Sequence, residues 1–215
     1  MSGSTWNPTV VQTIGLFPTP VTRVERLLDS DMIAKVLADV TAATATTNSK
    51  SEQLSHTEIM NPQSVGSLRK ASKLALPYVA EFGSLLFGEQ LDWSVKEIWV
   101  NFLQTGGSQL VHTHANSFVS GVLYLTSSHS SANIVFHKSL GGTDFTFRNQ
   151  NTNVRYGPYN GSKWAMPAIN AGDLVLFPSY LLHEVPINRG DRRVSVAFNA
   201  VPSRLDSFGY TIRFS

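Results

Sequence analysis

The sequence predicts a mainly β fold, a two-sheet jelly roll preceded by flanking helices. From about residue 92 onward, short apolar or alternating runs recur with Gly, Pro and Asn between them, which is typical of a sandwich or barrel. Before that point, apolar residues recur every three or four positions, the spacing of an amphipathic helix. At 215 residues and 42% hydrophobic content, the chain suits one domain with a substantial core. We therefore expect a single domain over 1–215, in which an N-terminal strand and helices in 1–90 pack on a jelly-roll core in 91–215.

The first part of the chain predicts one strand and then a helix. Residues 9–18 (TVVQTIGLFP) favour a strand that ends at two closely spaced prolines. Residues 21–40 have helical apolar spacing, and Asp29, Ser30 or Asp31 is the expected helix N-cap within that stretch.

A connection, a second helical region and a series of short strands follow. The Thr- and Ala-rich residues 41–57 predict a flexible connection. Residues 62–89 predict one helix or a helix pair, with Pro77 at a first turn or a kink. Residues 138–171 are polar and broken by glycines, so we expect a functional loop or lid there. The predicted strands of the core are 94–103, 108–113, 118–126, 132–137, 154–156, 173–178, 183–187, 192–201 and 208–214.

The composition excludes several classes of function. The formal charge is only +2 and no run of Lys or Arg forms a basic groove, so no nucleic-acid partner is expected. The chain has no cysteine, so any metal must be bound through nitrogen or oxygen. The N-terminus does not have the pattern of a signal peptide, and no apolar stretch approaches the roughly 18 residues that span a membrane.

A His-x-His pair stands directly before a strongly apolar strand. In LVHTHANSFVSGVLYL, His112 and His114 are two residues apart, so in a strand they project from the same face. A third histidine, His183, follows the apolar run LVLFPSYLL. Neutral imidazole is the commonest metal ligand and suits Fe, Zn, Cu and Ni. Each histidine alone is more often a surface or core residue than a ligand, but together they predict a mononuclear metal site at the mouth of a strand.

The strand after His183 carries an arginine and a serine on one face. In RRVSVAFN, Arg193 and Ser195 alternate with valines, whereas Arg192 points to the other face. An arginine on a buried face is costly unless it is paired. Its planar fork matches a carboxylate, to which a serine hydroxyl adds a third bond. The alternative is an edge-strand arginine in a solvent-exposed salt bridge. With the histidines, this pair indicates a mononuclear iron oxygenase that uses an organic-acid co-substrate.

The order of these motifs resembles a family of 2-oxoglutarate/Fe(II)-dependent oxygenases related to the prolyl hydroxylases. The resemblance rests on His-x-His, SGV-x-YL, GDLVLFPSYLLH and R-x-S-x-x-FN, and on LFPTPV at 16–21. It covers most of the chain and is sharpest from 99 to 199. It implies a double-stranded β-helix that holds Fe(II) at one mouth. The group is common in marine bacteria and their phages, so the implied location is the cytoplasm, or the host cytoplasm if the gene belongs to a phage.

The resemblance also implies roles for individual residues. His112 and His183 match the two histidine ligands of Fe(II), and Arg193 matches the arginine that binds the far carboxylate of 2-oxoglutarate. Ser195 matches the usual hydroxyl partner of that arginine, and Tyr124 matches a tyrosine that often helps to bind the same carboxylate. Further candidates to contact the co-substrate or line the site are Asn101, Gln109, Trp99 and Asn199.

The chain departs from the wider superfamily at His114, where the usual residue is Asp or Glu. Either His114 is the third metal ligand, or it supports a ligand without touching the metal. In the second case the third position is open or is filled by a carboxylate from elsewhere, and Asp173 and Glu184 are the nearest candidates. Glu184 adjoins His183 and would face the opposite side of the strand. Three neutral ligands leave such a site one negative charge short.

The reaction that the resemblance implies couples oxidation of a substrate by O2 to conversion of 2-oxoglutarate into succinate and CO2. The expected partners are O2 and a small molecule or a protein side chain, and a homodimer is left open. Two other functions remain. The chain could be a non-catalytic jelly roll in a virion or assembly, or a cupin-like metal enzyme that does not use 2-oxoglutarate. Release of succinate separates the oxygenase from both.

Overall fold

A computed structural model describes residues 13–40, 46–47, 53–138, 149 and 151–214. The described residues contain two α-helices, one short 3₁₀ helix (Ser130–Ala132) and thirteen strands. The helices are α1 (Ser30–Asp39) and α2 (Gly66–Phe87). The strands are β1 (Thr22–Val24), β2 (Thr46–Thr47), β3 (Leu54–His56), β4 (Trp93–Leu103), β5 (Gln109–His112), β6 (Val119–Tyr124), β7 (Val135–His137), β8 (Lys163–Ala165), β9 (Leu174–Pro178), β10 (His183–Val185), β11 (Arg193–Pro202), β12 (Arg204–Ser207) and β13 (Tyr210–Arg213).

The strands form two facing antiparallel sheets and one hairpin. The large sheet has the order β1-β9-β6-β11-β4-β3-β2, the small sheet has the order β5-β10-β7-β8, and β12 pairs with β13. Side chains from both sheets meet in one apolar cluster, in which Tyr124 and Phe177 of the large sheet pack with Phe136 of the small sheet. This arrangement confirms the predicted jelly roll with flanking helices.

The two helices cover the outer face of the large sheet. Their buried residues join one core with the residues of β4, β6, β9 and β11 that face them. The Asp29 carboxylate accepts a hydrogen bond from the Met32 amide at 2.8 Å, so Asp29 is the N-cap of α1. Pro77 lies on the exposed side of α2, which continues through it as a single helix and ends before Gly88 in a left-handed conformation.

The central strand β11 presents two different faces. Val194, Val196 and Phe198 belong to the core beneath the helices. The alternate residues, from Arg193 to Asn199, therefore face the space between the two sheets. Gly121 of β6 lies opposite Phe198, and any side chain on Gly121 would overlap the Phe198 ring.

The N-terminal third differs from the sequence prediction. Residues 13–18 are irregular, and the rest of the predicted strand 9–18 lies outside the described residues. The first strand is instead β1, which lies inside the stretch predicted as helix because it pairs with β9. The predicted connection 41–57 contains β2 and β3, since β3 pairs with β4.

Two further differences lie in the second half. Residues 154–156 are not a strand, whereas β8 forms within the predicted loop 138–171. Residues 139–148 and 150 of that loop lie outside the described residues. The predicted strand 208–214 corresponds to β13, and its partner β12 was not predicted. Among the described helices, neither is long and apolar enough to cross a membrane.

Candidate active site

Three histidines converge at one end of the space between the sheets. His112, the last residue of β5, lies directly opposite His183 of β10. His114 follows the end of β5, and its backbone N–H donates to the Ser179 carbonyl at 3.0 Å. One ring nitrogen from each of the three lies within 4.8 Å of the others. The expectation that His112 and His114 share a strand face is therefore wrong in detail, because the strand ends between them, but the two rings do converge.

Hydrogen bonds fix which nitrogen of each ring carries the proton. His112 Nδ1 lies 2.8 Å from the Leu110 carbonyl oxygen, and His183 Nδ1 lies 2.8 Å from the Leu181 carbonyl oxygen. A carbonyl oxygen only accepts, so both Nδ1 atoms carry the proton. The Nε2 atoms are then lone-pair donors, the form in which histidine binds a metal.

His114 is oriented by side chains. Its Nδ1 lies 2.8 Å from Asn199 Oδ1 and 2.8 Å from Ser120 Oγ. Asn199 Nδ2 donates to Glu97 Oε2 at 3.0 Å, which turns the amide oxygen of Asn199 toward His114. His114 therefore also carries its proton on Nδ1 and keeps Nε2 free.

Burial keeps these rings neutral. It lowers the pKa of His114 from 6.5 to about 4 and that of His183 from 6.5 to about 3. Neighbouring imidazoles lower both values further, because each positive charge disfavours the next. At neutral pH, protons do not compete with a metal ion for these two nitrogens.

Arg193 and Ser195 lie in the same cavity as the histidines. Arg193 is 5% exposed and Ser195 is 1% exposed, whereas Arg192 is exposed. Arg193 Nη1 donates to the Ala132 carbonyl at 2.6 Å, and its guanidinium lies 5.7 Å from the centre of the Tyr124 ring. Arg193 Nε and Ser195 Oγ are buried without a hydrogen-bond partner among the described residues.

The Arg193 guanidinium is a buried cation to which no described carboxylate is paired. Burial lowers its pKa, because the charge loses its solvation. Asn101 of β4 lies directly opposite Ser195 and lines the same cavity. A buried cation with unused donors beside a free hydroxyl is suited to bind an anion.

The cavity joins the histidines to this cationic end. Its volume is about 30 Å³, room for about two water molecules. Apolar residues of both sheets close it, and the Phe177 ring lies 4.7 Å from that of His183. The lining residues are Trp99, Asn101, Gln109, His112, His114, Val122, Tyr124, Ile134, His183, Val185, Arg193, Ser195 and Ala197.

The two carboxylates considered as a third ligand have other partners. Asp173 is fully buried and accepts hydrogen bonds from the Arg23 guanidinium and the Arg26 and Asn170 amides. Glu184 pairs with Lys163 and His137 on the other face of β10. Neither carboxylate belongs to the histidine cluster. The alternative in which Asp173 or Glu184 supplies the third metal ligand is therefore wrong.

Sequence reasoning missed Ser120 and Glu97. Both lie beside Asn199, which is directly opposite Glu97 of β4 on one side and Ser120 of β6 on the other. The residue types carry no signal of their own. Only the register of three strands that are distant in sequence brings them together.

Comparison with known families adds a sequence-level finding. Residues 97–199 match a family model described as "Putative 2OG-Fe(II) oxygenase". Those 103 residues, just under half of the chain, resemble the 2-oxoglutarate/Fe(II) oxygenases. The match includes every residue that lines the cavity, from Trp99 to Ala197. The chain is an oxidoreductase of the 2-oxoglutarate-dependent class, and Fe(II) and 2-oxoglutarate are its cofactor and co-substrate.

Solved structures share the fold of this oxygenase. The non-heme alpha-ketoglutarate-dependent epimerase SnoN from nogalamycin biosynthesis is 13% identical with a TM-score of 0.63, covering 86% of this chain and 80% of its own. A Pseudomonas putida prolyl-4-hydroxylase is 15% identical with a TM-score of 0.55, covering 84% and 92%. HygX from Streptomyces hygroscopicus, solved with nickel, 2-oxoglutarate and hygromycin B, is 10% identical with a TM-score of 0.56, covering 86% and 84%. A search of curated proteins found no match.

The residues of this oxygenase fit both groups that the family uses. Three imidazoles whose ligand nitrogens lie within 4.8 Å of one another suit Fe(II), for which nitrogen is a normal ligand. The unpartnered Arg193 Nε and Ser195 Oγ suit a carboxylate. The donor set of the cavity therefore agrees with a metal at one end and an organic acid at the other.

Proposed function

We propose that this oxygenase uses O2 and 2-oxoglutarate to oxidise a small-molecule substrate at this cavity, with release of succinate and CO2. The observation that carries the proposal is the buried Arg193 guanidinium, whose Nε and whose neighbour Ser195 Oγ have no partner among the described residues. A buried cation without a counter-ion is costly. An anionic ligand that enters the cavity offsets that cost.

His112, His114 and His183 would hold the metal. Their ring nitrogens lie close enough together to share one ion, and backbone or side-chain acceptors orient all three rings through Nδ1. The ring centres of His112 and His183 lie 4.2 Å apart, so the two directly paired strands supply the rigid half of the site. His114 completes it from the segment after β5.

Arg193 and Ser195 would hold the 5-carboxylate of 2-oxoglutarate. Both come from the buried strand β11, and Tyr124 and Asn101 flank Ser195 on the neighbouring strands. Burial raises the pKa of the Tyr124 phenol, so it remains a protonated donor at neutral pH. Bound together, Fe(II) and 2-oxoglutarate supply the oxidising chemistry with O2.

The remaining side chains exclude water and control entry. Phe177 and Phe136 pack against each other and beside the His183 ring, which keeps solvent from that side of the site. Gln109 Nε2 lies 3.3 Å from His112 Nε2, the atom assigned to the metal. Because the cavity holds little more than two waters, the Gln109 side chain is the part that we expect to move when metal and co-substrate enter.

An open groove of about 410 Å³ adjoins the cavity and offers a place for the substrate. It shares Gln109 and Val185 with the cavity, and the exposed Leu110 and Ile187 give it apolar surface. Its size suits a small molecule. SnoN, solved with alpha-ketoglutarate and nogalamycin RO, and HygX, solved with hygromycin B, also support a small-molecule substrate here.

Anaerobic binding tests the proposal. The metal-free protein is titrated with Co(II), and the Co(II)-loaded protein is then titrated with 2-oxoglutarate by calorimetry. We expect one metal per chain and 2-oxoglutarate binding that depends on Arg193. A folded protein that binds neither would refute the proposal, and one that binds metal but not 2-oxoglutarate would favour a metal enzyme of another kind.

A further inference from the structure

A row of polar side chains crosses the large sheet behind His114. Glu97, Asn199 and Ser120 lie directly opposite one another on β4, β11 and β6. Asn199 is 4% exposed and Ser120 is fully buried. The next row toward Arg193, two residues along β11, contains Ala197 and Val122. Two buried polar side chains at this depth are costly unless hydrogen bonds satisfy them.

The hydrogen bonds of this row run in one direction. Glu97 Oε2 accepts from Asn199 Nδ2 at 3.0 Å, so the amide cannot turn its nitrogen toward the cavity. Asn199 Oδ1 then faces inward, where it accepts from Ser120 Oγ at 2.9 Å and lies 2.8 Å from His114 Nδ1. Every acceptor that reaches His114 Nδ1 therefore favours a proton on that nitrogen.

Glu97 is the only charged member of this row. Its side chain is 27% exposed, so water solvates one side of the carboxylate while the other side contacts Asn199. The Asn199 amide joins this carboxylate to the His114 ring through two hydrogen bonds. The same interactions stabilise any positive charge that the His114 ring acquires.

We propose that Glu97, acting through Asn199, is a positioning residue that sets the His114 tautomer and supplies at a distance the negative charge that three histidines lack. This inference rests on the metal role proposed for His114. A histidine whose other nitrogen donates to a carboxylate or an amide oxygen is oriented and made more basic as a ligand. In this chain the carboxylate does not touch the metal site itself but lies one amide away from the ligand.

The neighbouring residue Lys96 provides a matched control. Its Nζ lies 3.4 Å from Glu97 Oε1, on the solvent side, whereas Asn199 uses Oε2. Lys96→Gln removes this ion pair and leaves the contact with Asn199 in place. Glu97→Gln keeps the size of the side chain, but its amide can donate as well as accept, so Asn199 can reverse and direct its nitrogen to His114.

The test has two readouts that do not depend on turnover. Nitrogen NMR of the metal-free, 15N-labelled protein reports which ring nitrogen of His114 is protonated. Calorimetry with Co(II) reports metal affinity, and the thermal midpoint of the metal-free protein reports folding. We expect the parent and Lys96→Gln proteins to have the proton on Nδ1 and equal Co(II) affinity. We expect Glu97→Gln to show a mixed tautomer and about 10- to 100-fold weaker Co(II) binding, the usual size of such a loss.

Asn199→Leu gives a second measurement, because it removes the amide and keeps its approximate size. It should weaken Co(II) binding at least as much as Glu97→Gln. A folded Glu97→Gln protein with the parental tautomer and parental Co(II) affinity would overturn the inference. If the parent itself bound no Co(II), the proposed function would fail, whereas the NMR comparison would still decide whether Glu97 sets the tautomer.

Discussion

Replacing Arg193 and its neighbour Arg192 one at a time tests whether the buried Arg193 guanidinium binds 2-oxoglutarate. Arg193 is 5% exposed in a strand that is buried throughout. Among the described residues, its guanidinium donates one hydrogen bond, to the Ala132 carbonyl. Its Nε and Ser195 Oγ remain for a ligand. Loss of one partner from a buried charge pair costs about 2–5 kcal/mol. Arg193→Ala should therefore weaken 2-oxoglutarate binding by about 30- to 4,000-fold, since each 1.4 kcal/mol is tenfold.

The assay is calorimetric titration of 2-oxoglutarate into Co(II)-loaded protein without oxygen. Arg192→Ala is the matched control, because Arg192 is exposed and its guanidinium lies 6.0 Å from the centre of the Phe102 ring. That variant should bind 2-oxoglutarate like the parent. Arg193→Lys keeps the charge but loses the planar fork, so it should lie between the two. Equal losses from Arg192→Ala and Arg193→Ala would refute the assignment of the anion site.

Three other variants or conditions test separate parts of the structure. His114→Ala should lose Co(II) binding, whereas His114→Asp should keep or tighten it by restoring a carboxylate ligand. A His114→Ala protein that binds Co(II) like the parent would show that His114 is not a ligand. The metal-free protein should keep its full free energy of unfolding above about pH 6.5. At lower pH, that free energy should decrease by up to about 1.4 kcal/mol per pH unit for each of His114 and His183, because their folded pKa values of about 4 and 3 mean that the unfolded chain binds protons first. Urea unfolding at several pH values measures this, and a flat profile would contradict it. Gly121→Ala should cost about 1–3 kcal/mol through overlap with the Phe198 ring, seen as a lower thermal midpoint, while Gly66→Ala, where the added group meets nothing within 4 Å, should not.

The core of the fold could be predicted because its strands carry their own pattern. The apolar runs that became β4, β6, β9 and β11 form strands of five to eleven residues, and the pattern RRVSVAFN predicts a buried Arg193 next to an exposed Arg192, as observed. The strands that were missed have two to four residues. β1 and β3 exist because they pair with β9 and β4, far away in sequence, and nothing in three residues such as TRV or LSH signals such a pairing.

The site was predictable where it depends on residue type and not where it depends on register. Three histidines, an arginine and a serine are the residue types that a metal and a carboxylate need, so the sequence singles them out. The network behind His114 contains a glutamate, an asparagine and a serine that are ordinary in isolation. Their contact follows from the alignment of β4, β11 and β6, which is a property of the folded sheet.

The coupling of O2 consumption to 2-oxoglutarate breakdown tests the central claim most directly. The Fe(II)-loaded protein is supplied with 2-oxoglutarate labelled at its 1-carboxylate, and labelled CO2 and succinate are measured with and without O2. We expect both products in equal amounts, only when O2 is present, none from the His183→Ala protein, and much less from the Arg193→Ala protein at the same 2-oxoglutarate concentration. If the parent protein binds Fe(II) and 2-oxoglutarate but releases no succinate, or if His183→Ala releases as much as the parent, the claim that this cavity is the active site of a 2-oxoglutarate-dependent oxygenase is contradicted.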